Sequence, residues 1–148
     1  MLGRASGEPK LLFPGFAGFY VSVADLWYPL IRLVAGGCLI YHGWAKVVSG
    51  ATPVAAAMAK NGFVPGIAFS YTAIFLETVG AVCIMLGLFT RFFAAAIAIE
   101  MALITFVVML PQGFGRMELP FFWGLVMFAI ALRGGGPYSL DRVIGKEL

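Results

Sequence analysis

Charge is scarce in this sequence. Asp, Glu, Lys and Arg supply 11% of the 148 residues, less than half the roughly 25% of a soluble domain. Apolar residues take their place at 61%, where about 45–50% is usual. So little polar surface excludes a water-soluble monomer and a disordered chain. The net charge is +3, yet no Lys/Arg cluster stands ready to neutralise phosphates, which excludes nucleic acid as a partner. Cysteine is nearly absent. Cys38 and Cys83 make no CxxC pair and no disulfide framework. On helix geometry they differ in depth by about 10 Å, beyond the reach of about 7 Å between Cα atoms that a disulfide requires. His42 is the single histidine, so neither a zinc spacing nor the paired Glu-x-x-His motifs of a di-metal bundle can be assembled, and no metal site is expected. Haem, iron–sulfur and nucleotide motifs are missing as well. A chain without an electron carrier suits a subunit better than a self-sufficient enzyme.

Long apolar runs are what the sequence does contain. They cover residues 26–47, 67–89, 92–110 and 119–132. A helix needs about 20 residues to cross a hydrocarbon core of about 30 Å, and the first three runs satisfy this. The fourth, with 14 residues, reaches only about 21 Å, so it is expected to thin the bilayer or lean on its neighbours. The expected fold is all-α: a four-helix transmembrane bundle with short interfacial helices. One membrane domain is expected over residues 1–148, with an N-terminal segment 1–25, spans within 26–132 and a tail 133–148. Pro14 and Gly15 interrupt the first apolar residues, so the N-terminus reads as retained and not as a signal peptide. Thr52 is a candidate cap for a short surface helix over 53–60, with Asn61-Gly62 as its stop. Ser139 is a candidate cap for a tail helix. Ala94, Ala98 and Ala102 recur every four residues, a stripe suited to close packing within the bundle or on a partner subunit.

Lys and Arg set the orientation. Arg4, Lys10, Arg91, Arg133, Arg142 and Lys146 fall on one side; Lys46, Lys60 and Arg116 fall on the other. This excess places both termini in the cytoplasm, in a bacterial or archaeal cell (inner) membrane.

Ionisable residues inside spanning helices are costly and are functional candidates by default. Span one carries Arg32, His42 and Lys46, span two Glu77, span three Glu100, and Glu118 precedes span four. Glu77 and Glu100 each lie about 15 Å below the outer boundary, and His42 about 7 Å below it. Arg32, His42 and Lys46 fall within an arc of about 80° on their helix. Arg32 has the length to reach towards Glu77 or Glu100, or to snorkel to the inner headgroups. Lys46 reads as a snorkelling anchor and Glu118 as a complement to a helix N-terminus. His42, Glu77 and Glu100 are therefore the candidate catalytic residues, with Arg32 and Glu118 joining them as candidate cofactor contacts. The competing reading is interhelical pairing that only holds the bundle together.

Several motifs carry a resemblance. Arg32-Leu33, Tyr41-His42-Gly43 and Lys46 in span one resemble the opening helix of the DoxX family. Gly62 with Pro65, Glu77 with Gly80, Leu86-Gly87-Leu88-Phe89-Thr90-Arg91, Glu100, Glu118 with Pro120, and Tyr138-Ser139-Leu140-Asp141-Arg142 follow in the same order. The resemblance covers roughly residues 26–143. It implies a small four-helix membrane protein in redox settings. One branch of the family is similar to the large subunit of thiosulfate:quinone oxidoreductase, and other members accompany soluble oxidoreductases or sulfur-transfer enzymes.

Three functions compete. The chain is a membrane subunit of a redox-associated complex whose polar site handles a quinone or its protons, with the lipid bilayer and other redox subunits as partners. Alternatively it is a structural subunit that anchors a larger complex, or a small solute or proton pathway. Quinone is the candidate cofactor. The topology is directly testable: single cysteines introduced as Lys60→Cys and Lys146→Cys, in a background lacking Cys38 and Cys83, should react with an impermeant maleimide from opposite sides of the membrane. Reaction from one side for both would overturn the four-span arrangement.

Overall fold

The computed structural model describes residues 11–147. Arg4 and Lys10 of the charge count lie outside them. Every regular element among the described residues is helical. A short helix α1 (Ala17–Val23) leads into α2 (Trp27–Ser49). The surface helix α3 (Ala51–Lys60) follows, and the second span then runs over Gly66–Leu86. That span is built from α4 (Gly66–Phe75), a π-helical turn (Leu76–Gly80) and α5 (Ala81–Leu86). The third span, Thr90–Gln112, starts as α6 (Thr90–Leu103) and continues through a second π turn, Ile104–Met109. The fourth is α7 (Phe114–Arg133), and a tail helix α8 (Leu140–Ile144) closes the chain.

Three helices, Gly66–Leu86, Thr90–Gln112 and Phe114–Arg133, are long and apolar enough to cross a membrane. The fourth pass, α2, has the length at 23 residues but carries Arg32, His42, Lys46 and three glycines. It meets the apolar criterion only together with Pro14–Val23, from which it bends by 54°. Large apolar side chains face outward over the whole surface, for example Phe92, Ile99 and Phe128. Such a surface suits hydrocarbon and not water.

Two sequence expectations need correction. The fourth span is not a short helix of 14 residues but one of 20, so it need not thin the bilayer. Arg116 and Glu118 lay outside the expected run, yet both belong to the helix, and Pro120 sits inside it, where it cannot donate the usual hydrogen bond to the Arg116 carbonyl. Thr52 does not cap α3: the helix begins at Ala51, its cap position is Gly50, and no side chain bonds to its first amides. Instead Ser70 in α4 donates to the Ala51 carbonyl at 2.8 Å and ties the start of α3 to the second span. Asn61 ends α3, and Ser139 caps α8 by accepting from the Arg142 amide at 3.2 Å, both as expected.

Packing is closest where side chains are smallest. On α2, a Cβ at Gly36 would come within 2.6 Å of the Ala81 carbonyl, and one at Gly43 within 2.6 Å of the Glu77 carbonyl. These two glycines, seven residues apart and so on one face of the helix, let the backbone of α2 lie directly on the second span. The alanine stripe of α6 does the same against α7: a Cβ at Gly124 would stand 3.3 Å from Met101 and 3.9 Å from the Ala98 carbonyl. Ala98, the middle of that stripe, is used within the bundle. Ile84, Ile97, Met127 and Ile130 fill the space between the spans and are almost wholly buried.

The glycine contacts predict a paired result. Gly43→Ala should destabilise the fold by about 1–3 kcal/mol through overpacking against the second span. Gly37→Ala, one helix face away with nothing within 4 Å of the added carbon, should instead gain up to about 1 kcal/mol from helix propensity. Thermal unfolding in detergent of the two variants checks the sign of each.

Candidate functional site

Two groups of buried polar residues occupy the two ends of the bundle. They divide the sequence candidates between them.

The first group surrounds Glu77. Its backbone lies in the π turn Leu76–Gly80, a form that interrupts α-helices often at functional sites. The residue is 2% exposed. Because Gly43 allows α2 to touch the Glu77 backbone, Lys46, nearly one turn further along α2, is placed on the Glu77 side chain. Its ammonium donates to Glu77 Oε1 in a short ion pair. The other oxygen, Oε2, is buried without a partner. On the third span, Glu100 buries both carboxyl oxygens, and neither accepts a hydrogen bond. The π turn that carries Glu77 packs against α6, which carries Glu100. The site therefore holds two carboxyl groups and one ammonium, with three buried oxygens unsatisfied. Oxygens left in that condition carry a desolvation cost and are ready acceptors for a donor or a proton.

The second group lies at the end that carries the tail. Arg32 is completely buried. Its guanidinium donates to the Tyr138 carbonyl at 2.8 Å and lies 5.5 Å from the centre of the Tyr28 ring. Tyr28 donates to the Gly134 carbonyl at the end of α7, and Arg133 stacks over Trp27 and Tyr28. Asp141, 1% exposed, accepts from the Phe89 amide at 2.7 Å, the Thr90 amide at 2.9 Å and the Thr90 hydroxyl at 2.6 Å. The helix that begins at Thr90 has no cap of its own, since the preceding residue is Phe89. A carboxylate from the tail supplies it. Glu147 adds an ion pair to Arg91 at 2.7 Å.

This arrangement corrects the expected cluster. Glu77 sits on the π turn that packs against the helix carrying Glu100, but the cation paired with Glu77 is Lys46 and not Arg32. Arg32 starts about 21 Å from Lys46 along α2 and points the other way, its Nη2 donating to the Tyr138 carbonyl while Nε and Nη1 stay buried without a partner. Lys46 is no snorkelling anchor; it turns inward. His42 is exposed on the outside of α2, with its ring edge-on to Tyr41, because the face of α2 that packs is the one holding Gly36, Leu39 and Gly43. Glu118 is exposed on α7 beside Leu119 and Phe122 and touches neither buried carboxylate. Sequence reading missed Asp141. The uncapped start of the third span was the signal for it, since those amides needed an acceptor from elsewhere.

The DoxX family pattern matches residues 28–110. That stretch contains Arg32, Lys46, Glu77 and Glu100, and ends before Glu118 and the tail. Searches of curated proteins and of solved structures gave no match.

The Lys46–Glu77 pair yields a stability prediction. Lys46→Met leaves two buried carboxyls without a cation and should cost about 3–5 kcal/mol, as loss of one partner of a buried pair does. Lys46→Met combined with Glu77→Gln should recover a large part of that loss. Chemical denaturation of the purified variants checks both values; a single variant as stable as the parent would show that the pair holds nothing together.

Proposed function

The chain belongs to the DoxX family, and we propose that it is an integral membrane subunit of a redox-associated complex, in which Lys46, Glu77 and Glu100 handle the protons of quinone chemistry. The observation that carries this reading is the surplus carboxyl. One ammonium balances one carboxylate, and Lys46 and Glu77 already form that pair. Glu100 adds a second acid whose oxygens have no partner. A single proton held by the two acids brings the group to neutrality, and passing it from one to the other needs no new charge in the low-dielectric interior. Reduction of a quinone takes up two electrons and two protons. Carboxyl groups at hydrogen-bond distance from a ring oxygen can donate the protons; the electrons come from a companion subunit. With both termini in the cytoplasm of a bacterial or archaeal cell membrane, this group lies in the outer half of the bilayer.

One observation favours a second reading, that of a structural subunit. The Lys46–Glu77 pair joins α2 to the second span, which is what a brace requires. The two readings differ in what Glu100 does. In the complex purified from its native membrane, Glu100→Gln should leave assembly and Tm unchanged and lower quinone-linked turnover by about 10²-fold or more. Full turnover in that variant would reject the proton-handling role and leave the structural one.

A further inference from the structure

Beside Glu100 a cleft of about 140 Å³ opens between the second and third spans. Met58 of α3 and Phe63 of the following loop roof it. The roof is held in place: a side chain at Gly66 would run into the Ala55 backbone, so α3 sits directly on the start of α4. Phe69, Ile99 and Leu103 form the rim, and all three are exposed on the surface that faces hydrocarbon. Glu100 is the one ionisable residue in the lining, and the Thr72 hydroxyl is already spent on the Ala68 carbonyl at 2.9 Å.

Size and chemistry together narrow the occupant. A cavity of about 150 Å³ is what one benzene ring fills. The ionisable feature of this one is a carboxyl with two free acceptor positions. Its occupant thus needs one aromatic ring and one hydrogen-bond donor. An ammonium donor is disfavoured, because it would have to shed its hydration to enter a cleft whose lining is otherwise mostly apolar. We propose that the cleft is a lateral binding site for a bilayer-dissolved phenol or hydroquinone, with its ring between Phe63, Phe69 and Ala96 and its hydroxyl donating to the Glu100 carboxyl. This names a ligand seat for the group proposed above and rests on reading that group as a working one.

The test uses the intact protein in nanodiscs with 4-dodecylphenol as the probe, its methyl ether as the donor-free control and dodecylammonium as the cationic one. Dodecylphenol at a saturating concentration should raise Tm by about 5 °C, and the two controls should not. Glu100→Leu should abolish the difference between phenol and ether. Ala96→Phe, which fills the cleft with a ring of its own, should abolish the response to the phenol. An equal shift with the ether or the ammonium, or an undiminished phenol response in Glu100→Leu, overturns the proposal without reference to how Ala96→Phe folds. The two readings fail separately. Loss of turnover in Glu100→Gln without phenol binding overturns the seat alone. Phenol binding with full turnover in Glu100→Gln upholds the seat and overturns the proton-handling role.

Discussion

A carboxylate taken into a membrane must find a positive charge, and Glu77 finds one because α2 lies on the second span with no side chain between the two backbones. Gly43 is the point of contact. Any larger residue there would push α2 away by the width of a methyl group or more, and the ammonium of Lys46 would withdraw with it. Gly36 repeats the contact two helical turns away, against Ala81, so the two helices are held at a fixed height as well as a fixed distance. The buried pair thus depends on glycine packing, and the packing would be useless to the site without the pair. In lipid this is the expected economy: apolar side chains gain little by leaving hydrocarbon for one another, so close backbone approach and buried polar contacts decide which helices associate.

The two ends of the bundle treat buried charge differently. At the tail end Asp141 and Arg91 are matched, while the buried Arg32 keeps Nε and Nη1 without a partner. Asp141 accepts three hydrogen bonds from the start of the third span, Arg32 takes a tail carbonyl and an aromatic face, and Arg91 divides its donors between Glu147 and the carbonyls that end α7. Gly87, with φ of 68°, turns the hairpin there, and a side chain on it would collide with Arg32. A clasp of this kind ties three spans and the tail into one unit. It accounts for the sequence motifs around residues 86–91 and 138–142 without any chemistry. At the other end, Lys46, Glu77 and Glu100 leave acceptors open.

The fold was largely legible because apolar runs long enough to span a bilayer have few other destinations. The packing of the segment that carries Glu77 on the helix that carries Glu100 was legible too, since 1.5 Å per residue converts sequence position into an expected depth. The identity of their cation was not. Arg32, His42 and Lys46 share one arc of α2, and a helical wheel cannot say which of three neighbours the next helix will cover. That depended on the glycines at 36 and 43, whose role as a contact line appears only once the second span is in place. Arg32 was misjudged for a related reason. Its partners are backbone carbonyls of a tail more than a hundred residues away, and carbonyls carry no signature in a sequence. The start of the fourth span was hidden by Arg116 and Glu118, charged residues that cut the apolar run short yet lie in the first two turns of the helix.

The separation between brace and site comes down to Glu100. If α2 needed only to be fastened to the second span, Lys46 and Glu77 would complete the task, and an alanine or leucine on the third span would pack at less cost than an acid. Holding a second carboxyl there adds a desolvation burden with no contact in return. Natural bundles can carry such a burden where polar groups specify a register, but register here is already fixed by Gly36, Gly43 and the tail clasp. A surplus acid beside an apolar cleft of one-ring size is then best explained by what enters the cleft, with a proton or a donating hydroxyl supplying the partner that the protein itself withholds.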